Sequence, residues 1–457
     1  MPNLTQLRLA AREIFNEALR AVDAGAAVRR AVRLEDLRLS VCDTVIDRPT
    51  QRPIYAIAIG KAALSMAIAL EDILGERLGA GVIAGPMARQ PQVGTLASLP
   101  RKLITRWKWV EGGHPLPTKH SLSAAHECFD LLKHANEEGA LLIFMISGGG
   151  SAMVEWPISE EITLGDLRTA NKALVNCGAS ITEINSVRRA FSAVKGGRLA
   201  ARAPQCDQIT LIVSDVPPGE ERNVASGPSL APPKAAPDAR EVIGKYNLRS
   251  RVPETILRAI DAGPAASSLT DSTSARMNFV LLDNQSGLKA AADAARRRRF
   301  VTEIAGDISD QPIEDGCLAL RQRMVQFRAR RTESRSNPEE SVCLISGGEF
   351  GCPVRGDGIG GRNLETALRL AMSPGLSGSE SFVAICAGTD GTDGNSPAAG
   401  AIVDGGTIER ARAIGLEPKD FLDRSDAYSF FVAIGDAIAT GPTGTNVRDV
   451  RMLLHAR

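Results

Sequence analysis

The sequence predicts an α/β fold with largely parallel sheets, and two features of the chain lead to this prediction. Short runs without a polar side chain recur along it, such as residues 141–146 (LLIFMI) and 382–386 (FVAIC). A strand that is apolar on both faces is typical of a parallel sheet covered by helices on both sides. These runs alternate with segments of helical periodicity, for example residues 62–74, and this alternation is typical of α/β proteins.

The predicted strands end in loops of Gly, Ser and Asp. Such loops follow residues 55–59, 141–146, 209–213, 342–345 and 382–386. Ligands of open α/β sheets bind at the carboxyl ends of the strands. In any one loop, glycine could merely mark the end of a strand. Five loops of the same biased composition favour a phosphate-rich ligand.

Length, charge and composition narrow the functional classes. The chain has 457 residues, enough for two or three domains. Its 54 Lys and Arg residues against 53 Asp and Glu residues leave a formal charge of +1, so no overall field attracts nucleic acid or an anionic membrane. No apolar stretch approaches the ~20 residues of a membrane span, and the eight cysteines show no CxxC spacing. We therefore expect a soluble, cytoplasmic protein with buried thiols and without a nucleic-acid or membrane partner.

Two breaks in the pattern indicate where domains meet. Residues 231–237 (APPKAAP) form a Pro/Ala connector, and residues 261–274 are rich in Ala, Ser and Thr. We predict two domains, at residues 1–260 and 261–457. Residues 4–22 follow helical spacing, and the charged residues among them argue against a signal peptide.

Gly60 and Lys61 stand where the first of these apolar strands passes into a helix. Backbone N–H groups at a helix N-terminus attract anions, and Lys61 adds a positive charge. A lysine at this end opposes the helix dipole. A bound anion is one explanation for it, and a surface lysine on a first helical turn is the other. The segment is not a Walker A loop, because Tyr55 and Ala62 stand where that motif has Gly and Ser or Thr.

A Gly-rich loop follows the most apolar strand of the chain and consists of Ser147, Gly148, Gly149, Gly150 and Ser151. Consecutive glycines let backbone N–H groups converge on phosphate oxygens without Cβ clashes. We therefore predict that these five residues bind substrate or phosphate. A plain tight turn is the alternative.

Residues 183–198 (EINSVRRAFSAVKGGR) form a polar segment of helical character. Its polar face holds Asn185, Arg188, Arg189 and Lys195. We predict that Arg188 and Lys195 bind substrate or phosphate. The alternative is a solvated helix that ends at a glycine C-cap.

Three aspartates follow predicted strands. Asp215 comes after residues 209–213, and Asp390 and Asp393 lie in the loop after residues 382–386. Carboxylates at strand ends can hold Mg²⁺ directly or through water, and we predict this role for Asp215 and Asp390. The alternative is an Asx turn, in which the carboxylate caps its own loop, and for Asp393 this alternative is the stronger.

Residues 356–361 match GxGxxG by count, but their context differs from that of a dinucleotide-binding loop. The preceding segment contains Gly351 and Pro353 and makes a poor central strand. No acidic residue ends a strand about twenty residues later. We interpret the segment as a loop that delivers Arg362 and Asn363 to a ligand. Arg362 could clamp a transferring phosphoryl group, and an arginine on an exposed first helical turn is the alternative.

Ten segments of the chain occur in the order of a known family. They are IAIGKAALSMA, GGHPLP, FMISGGGSA, INSVRRAFSAVKGGRLA, LIVSDVPPG, ASGP, ISGGE, GGRNLETAL, AGTDGTDGNSPAAGA and TGPTGTN. Over residues 57–449 the chain thereby resembles the class II glycerate 2-kinases, whose C-terminal part is called the MOFRL domain. The resemblance implies two α/β domains with the active site in the cleft between them. It also implies ATP-dependent phosphorylation of D-glycerate to 2-phosphoglycerate, with Lys61 and Arg362 as catalytic residues and Asp215 as the acidic residue of the SDV loop.

The residues and the resemblance together predict in-line transfer of the γ-phosphoryl group of ATP, bridged by Mg²⁺, to the 2-hydroxyl of D-glycerate. Lys61 and Arg362 would neutralise phosphoryl oxygens, and the loop of residues 147–151 would cradle substrate or phosphate. Asp215 would hold Mg²⁺ or orient the hydroxyl. The alternative is an NAD(P)H-dependent hydroxypyruvate reductase, a name that members of this family have carried. We expect the enzyme to be a monomer or a homodimer.

Overall fold

The computed structural model describes residues 3–36, 38–46, 52–86, 105–263, 274–333, 340–376, 378–379 and 381–456. The chain divides into two compact units. Ala24–Leu282 is here called the parallel-sheet unit. Met1–Asp23 together with Asp283–Arg457 is called the mixed-sheet unit.

Helices and strands are numbered along the whole chain. The helices are α1 (Leu4–Ala21), α2 (Ala24–Ala31), α3 (Ala63–Leu74), α4 (Lys119–Glu137), α5 (Gly150–Met153), α6 (Leu164–Val175), α7 (Ile181–Ala190), α8 (Ala239–Lys245), α9 (Glu254–Asp261), α10 (Asn284–Arg297), α11 (Ile313–Glu333), α12 (Arg362–Ala371), α13 (Thr407–Ala413), α14 (Pro418–Asp423) and α15 (Ala427–Ala433). The strands are β1 (Val32–Glu35), β2 (Arg38–Val41), β3 (Thr44–Ile46), β4 (Ile54–Ile59), β5 (Leu78–Gly85), β6 (Trp107–Glu111), β7 (Leu141–Ser147), β8 (Asp207–Val213), β9 (Arg276–Leu282), β10 (Val301–Ile304), β11 (Val342–Ser346), β12 (Phe382–Gly388), β13 (Gly400–Asp404), β14 (Ala437–Ile438) and β15 (Asp449–His455).

The parallel-sheet unit is built on a six-stranded sheet with the order β6-β5-β4-β7-β8-β9. Every neighbouring pair of strands in it is parallel, as predicted. The chain fills one half of the sheet from β4 outwards and then returns to β7 to fill the other half. The strand order therefore reverses between β4 and β7, and this is the point at which doubly wound sheets bind ligands. A small antiparallel sheet, β1-β2-β3, completes the unit.

The two central strands of this sheet, β4 and β7, are buried along their whole length. Tyr55, Ile57 and Ile59 of β4 pack with Phe144 and Ile146 of β7 and with helix α4. Helix α3 packs against the same two strands. Burial on both faces explains why these segments carry uninterrupted apolar runs.

The mixed-sheet unit holds a second six-stranded sheet, with the order β10-β11-β15-β12-β13-β14. Only β10 and β11 are parallel, and the other four neighbouring pairs are antiparallel. The prediction of a largely parallel sheet is therefore wrong for this unit, although the α/β class is confirmed. Strands β10, β11 and β12 do point the same way, but β15 lies between β11 and β12 and runs in the opposite direction. An apolar run reports burial on both faces and carries no information about the direction of the neighbouring strand.

Helices cover both faces of this second sheet. One face packs with helices α11, α12 and α15, and the other packs with α1 and α10. Helix α1 is held by more than its apolar side chains, because Arg8 forms ion pairs with Asp404 and Asp436. Arg410 bridges the same two carboxylates, with contacts of 2.8 Å to each.

This division differs in two places from the sequence-based division at residues 260 and 261. Helix α1 packs within the mixed-sheet unit, although it precedes the parallel sheet in the chain. Strand β9 pairs with β8 and so belongs to the parallel-sheet unit. Contacts with distant parts of the chain decide to which unit α1 and β9 belong. The local composition of the connectors does not predict these contacts. Residues 264–273 of the predicted connector lie outside the described residues.

Candidate active site

In the parallel-sheet unit, the loops that follow β4 and β7 are joined by hydrogen bonds. The backbone N–H of Lys61 donates to the carbonyl oxygen of Gly148 at 2.9 Å. The N–H of Ala62 donates to Ser147 Oγ at 3.0 Å, and this hydroxyl lies 3.3 Å from the carbonyl oxygen of Ile59. The Ser147 side chain is buried, and its hydroxyl is hydrogen-bonded within the protein. It therefore holds the two loops together at the point where the strand order reverses.

Two glycines make this close approach of the loops feasible. A Cβ on Gly60, whose φ is +115°, would lie 2.3 Å from the carbonyl oxygen of Ser147. Gly149 has a φ of +80°, and a Cβ there would lie 3.2 Å from Lys61 Cγ and 3.1 Å from His114 Cδ2. The glycine at 149 thus leaves room for a lysine chain and an imidazole beside the loop.

A chain of polar side chains leads from the Gly-rich loop to helix α7. Ser151 Oγ lies 2.8 Å from Ser226 Oγ, which donates to Asn185 Oδ1 at 2.8 Å. Asn185 Oδ1 is also 3.5 Å from Nη1 of Arg188, whose Nε donates to Asn171 Oδ1 at 2.8 Å. The structure therefore brings Arg188 into one network with the predicted phosphate loop.

Arg188 is a cation held by neutral groups. Its hydrogen-bond acceptors are two amide oxygens, and it forms no ion pair with a carboxylate of the described residues. Burial lowers the pKa of Arg188 to about 10, against the opposing charge of Glu155. A half-buried guanidinium without a contacting carboxylate favours the arrival of an anion.

Lys195 lies in the same region, but its ammonium is closed off from solvent. It forms an ion pair with Glu155, and both side chains are 1% exposed. Its Nζ also donates to the carbonyl oxygen of Ser151 at 2.8 Å. Burial lowers the pKa of Lys195 and the charge of Glu155 opposes this shift. In this arrangement Lys195 fixes the backbone of the Gly-rich loop, and its predicted direct contact with a ligand stays a prediction.

Asp215 follows β8 at the carboxyl edge of the parallel sheet, as predicted, and is half-buried. The neighbouring Ser214 ties the loop to the next strand, since its N–H donates to the carbonyl oxygen of Leu282 at 2.8 Å. The carboxylate oxygens of Asp215 are ligands of the kind that Mg²⁺ prefers. Within the described ranges, however, no group of three His, Cys, Asp or Glu side chains is placed to hold a metal ion.

In the mixed-sheet unit, Arg362 is the first residue of α12 and is surrounded by carboxylates. Its Nε and Nη2 donate to the two oxygens of Asp449 at 2.6 and 3.1 Å. Nη2 also lies 2.7 Å from Glu349 Oε1. Burial opposes the charge of Arg362, but Asp449 and Glu349 outweigh it and raise the pKa well above its ordinary value. The contacts with Asp449 and Glu349 use Nε and Nη2 of the guanidinium.

Asp393 fixes the start of the helix that carries Arg362. Its Oδ2 accepts the N–H of Leu364 at 2.8 Å, and its Oδ1 accepts the N–H and the side-chain amide of Asn363 at 3.1 and 3.2 Å. Burial, aided by the charge of Asp449, raises the pKa of Asp393 to about 7. The carboxylate therefore caps α12 from a distant loop. Asn363 is buried in this contact, and its predicted role in ligand binding stays a prediction.

The glycine loop of residues 356–361 has three of its backbone N–H groups hydrogen-bonded within the protein. Gly358 donates to the carbonyl oxygen of Arg424 at 3.1 Å, and Gly360 donates to Asn395 Oδ1 at 2.8 Å. Ile359 donates to a carboxylate oxygen of Asp426 at 3.0 Å. These three N–H groups are not directed at a phosphate, which agrees with a structural loop rather than a dinucleotide-binding loop.

A pocket of about 380 Å³ adjoins Arg362 within the mixed-sheet unit. Its apolar wall includes Phe350, Pro353, Phe421 and Leu422.

Asp390, the other predicted metal ligand, lies in the loop after β12, where its Oδ1 accepts the N–H of Thr392 at 3.2 Å.

Comparisons with known proteins identify the family. Residues 10–261 match DUF4147, a domain of unknown function, and residues 342–449 match the MOFRL family. A glycerate 2-kinase of Pyrococcus horikoshii is 33% identical over 446 residues, which cover 96% of this chain and 94% of that protein. The chain belongs to the glycerate 2-kinase family. A D-glycerate 2-kinase of Thermotoga maritima is 34% identical over 87% of this chain and 89% of its own length.

Solved structures of this family have the same fold. The crystal structure of a Thermotoga maritima glycerate kinase matches with a TM-score of 0.77 and 31% identity, covering 99% of this chain and 100% of that one. A family member from Agrobacterium vitis, 33% identical over 87% of this chain and 98% of its own, carries the name hydroxypyruvate reductase instead. No helix among the described residues is both long and apolar enough to cross a membrane.

Several residues around these clusters are not predicted from the sequence. Asp449 and Glu349 hold Arg362, Glu155 holds Lys195, and Ser226 links the Gly-rich loop to helix α7. Asp449 does leave one signal, because it begins a strand that also holds four apolar residues (DVRMLLH), and a charge buried there requires a partner. The other three side chains acquire their roles only through contacts between distant segments.

Proposed function

We propose that this chain transfers the γ-phosphoryl group of ATP to the 2-hydroxyl of D-glycerate and releases 2-phosphoglycerate and ADP. The observation that carries the proposal is the joining of Lys61 to the Gly-rich loop at the reversal of the parallel sheet. Relatives named glycerate 2-kinase, at 33 and 34% identity over most of the chain, support the choice of substrate.

Phosphoryl transfer depends mainly on positioning and on neutralising charge, so cations and N–H donors do most of the work. The ammonium of Lys61 would neutralise an oxygen of the transferring group. Backbone N–H groups of residues 148–151 would bind phosphate or the substrate carboxylate, and Arg188 would add a positive charge at the same loop. Arg362 would donate to an oxygen of the transferring group, while Asp449 and Glu349 keep its guanidinium plane fixed.

Mg²⁺ bound to the phosphates of ATP would neutralise part of their charge, as in other phosphotransferases. Asp215 and Asp390 are the predicted residues to hold it. Each is a carboxylate at the carboxyl end of a buried strand, and Mg²⁺ bound with substrate phosphates needs only one or two such ligands. The donor chemistry of both residues fits this ion.

The reaction is tested by following the phosphorus NMR spectrum of purified protein with D-glycerate, ATP and Mg²⁺. The expected result is a 2-phosphoglycerate signal that grows together with ADP. A 3-phosphoglycerate signal would keep the kinase activity and overturn the position of transfer. Lys61→Ala should form no product at the same enzyme concentration, which excludes a contaminating kinase.

A hydroxypyruvate reductase is the second candidate, because two relatives with 33% identity carry that name. The occupied N–H groups of residues 358–360 argue against it, since a dinucleotide-binding loop directs such groups at a pyrophosphate. Oxidation of NADH or NADPH on addition of hydroxypyruvate, without phosphoester formation from glycerate, would favour the reductase. The cytoplasmic location and the monomeric or dimeric state stay predictions, and sedimentation of the purified protein tests the second.

A further inference from the structure

The side chain of Ser151, at the end of the Gly-rich loop, is half-buried and lies in a hydrogen-bond chain whose direction can be worked out. Its Oγ is 2.8 Å from Ser226 Oγ. A serine hydroxyl holds one proton and two lone pairs, so either serine could be the donor in this contact taken alone. The donor decides whether Ser151 can offer a ligand its proton or only its lone pairs.

The backbone carbonyl of Asn223 fixes the direction of the chain. A carbonyl oxygen can only accept, and this one accepts from Nδ2 of Asn185 at 3.2 Å. The amide atom that lies 2.8 Å from Ser226 Oγ is therefore Oδ1 of Asn185. Since an amide oxygen also only accepts, the single proton of Ser226 is donated to it. The proton in the contact between the two serines thus comes from Ser151.

With its proton donated to Ser226, Ser151 presents lone pairs to a ligand. Ionised phosphate and carboxylate oxygens only accept hydrogen bonds, so they are poor partners for it. A hydroxyl group of the ligand is a suitable donor. The backbone of Ser151 is also held in place, because its carbonyl oxygen accepts from Lys195 Nζ at 2.8 Å.

The ligand hydroxyl should lie close to an anionic group, because the neighbouring donors of the site suit an anion. These donors are the N–H groups of the Gly-rich loop and Arg188, whose Nη1 lies 3.5 Å from Asn185 Oδ1. Both hydroxyl groups of D-glycerate are within two carbons of its carboxylate. The ribose hydroxyls of ATP are separated from the γ-phosphate by two further phosphates. D-Glycerate therefore fits this arrangement better than ATP.

We propose that Ser151 recognises D-glycerate by accepting a hydrogen bond from one of its hydroxyl groups, an assignment that rests on the proposed kinase function. The N–H groups of the loop and Arg188 bind the carboxylate. Ser151 then distinguishes a hydroxy acid from a plain carboxylate, because a site built to pair with a hydroxyl selects against an analogue that lacks it.

The experiment measures the inhibition constants of three carboxylates that compete with D-glycerate, in the full-length wild type and in Ser151→Ala. D-Lactate lacks the 3-hydroxyl, 3-hydroxypropionate lacks the 2-hydroxyl, and propionate lacks both. Loss of one neutral hydrogen bond should raise the constant of at least one hydroxy acid about 3- to 10-fold. The constant of propionate and the KM for ATP should change less than about twofold. A rise for 3-hydroxypropionate assigns the 3-hydroxyl, and a rise for D-lactate assigns the 2-hydroxyl.

Ser123→Ala is the matched control. Ser123 is exposed on α4 of the same unit, where its Oγ donates to the carbonyl oxygen of Lys119 at 3.2 Å, and this variant should keep the wild-type constants. Ser151→Cys is a second variant of similar size, and it should show the same selective loss because sulfur is a weak acceptor. Far-UV circular dichroism and thermal unfolding of each variant exclude misfolding.

Two results would overturn the inference. The first is a Ser151→Ala enzyme with unchanged constants for both hydroxy acids. The second is an equal rise for propionate or a rise in the KM for ATP, because Ser151 would then donate to an anion or only shape the loop. The proposed function fails separately, if the wild type forms no 2-phosphoglycerate from D-glycerate and ATP.

Discussion

Arg188 in the parallel-sheet unit and Arg362 in the mixed-sheet unit are two predicted ligand-binding arginines with opposite surroundings. Arg188 is held by the amide oxygens of Asn171 and Asn185, and burial lowers its pKa to about 10. Arg362 is held by two carboxylates, which raise its pKa well above the ordinary value. The first arginine therefore keeps its charge uncompensated by a contacting group, whereas the charge of the second is already offset.

This difference separates two uses of a positive charge. A cation with neutral partners attracts an anion but is held by weaker bonds, so it suits substrate capture. A guanidinium held in a bidentate pair is fixed in plane and direction, so it suits a contact that must be placed accurately in the transition state. We expect variants of the two units to differ accordingly in which quantity they change.

The largest effects are expected for the predicted catalytic pair, Lys61→Met and Arg362→Met. Each should lower kcat by about 10³-fold or more, because each removes charge stabilisation of the phosphoryl group. Arg362→Met should also lower the free energy of unfolding by about 3 kcal/mol, because Asp449 is 1% exposed and loses its bidentate partner. Steady-state kinetics and urea unfolding give the two quantities.

Arg258→Met is the control for both measurements. Arg258 pairs with Glu161 on the surface of the parallel-sheet unit, with both side chains more than half exposed. It should retain the kcat and stability of the wild type. An Arg362→Met variant as stable as Arg258→Met would contradict the stabilising role of the pair between Arg362 and the buried Asp449.

The next largest effect is expected for Lys195→Met. The variant leaves Glu155 buried without its cation, which should lower the free energy of unfolding by about 3–5 kcal/mol. The double variant Lys195→Met with Glu155→Gln should recover much of this loss, since a glutamine can still accept from Ser192 through its amide oxygen. Urea unfolding of the single and double variants measures the difference. If Lys195→Met were as stable as the wild type, the ion pair between Lys195 and Glu155 would not be buried as described.

A smaller effect is expected for Arg188→Met, and it should appear in KM rather than in kcat. Loss of a charged hydrogen-bond donor costs about 1.5–3 kcal/mol of binding, which corresponds to a rise in KM of about 10- to 100-fold. Varying ATP and D-glycerate separately shows which anionic group the arginine binds. Arg188→Lys should retain part of the affinity, because lysine keeps the positive charge but lacks the planar set of N–H donors of a guanidinium. Unchanged KM values for both substrates would remove Arg188 from the site.

The last effect, which is the smallest when taken per pH unit, is expected for the pH dependence of stability in Asp393→Asn. Burial raises the pKa of Asp393 to about 7, whereas an unfolded aspartate titrates near 3.9. The native state thus keeps a proton that the unfolded state releases, so this group's contribution to stability is full below about pH 4 and falls as the pH rises to about 7. The slope is at most about 1.4 kcal/mol per pH unit. Urea unfolding from pH 4.5 to pH 7.5 should show a flatter slope for Asp393→Asn, and identical slopes would contradict the shift.

The two units also differ in how much of them the sequence predicts. In the parallel-sheet unit, β4 and β7 pass directly into short loops, so the positions of Lys61 and the Gly-rich loop follow from local pattern alone. In the mixed-sheet unit, the predicted direction of the sheet is wrong because β15 enters from a distant part of the chain. The partners of Arg362 come from two other segments, and the capping role of Asp393 depends on a helix about thirty residues earlier. Such contacts leave little trace in local composition.

The placement of β15 between β11 and β12 has a consequence for biosynthesis. Strand β15 is synthesised after the other strands, yet it lies between β11 and β12 and forms hydrogen bonds with both. On the ribosome, the parallel sheet can therefore form while β11 and β12 still lack the strand that joins them. Helix α1 is made earlier still, and it too must wait for β12 before it can bury its apolar face.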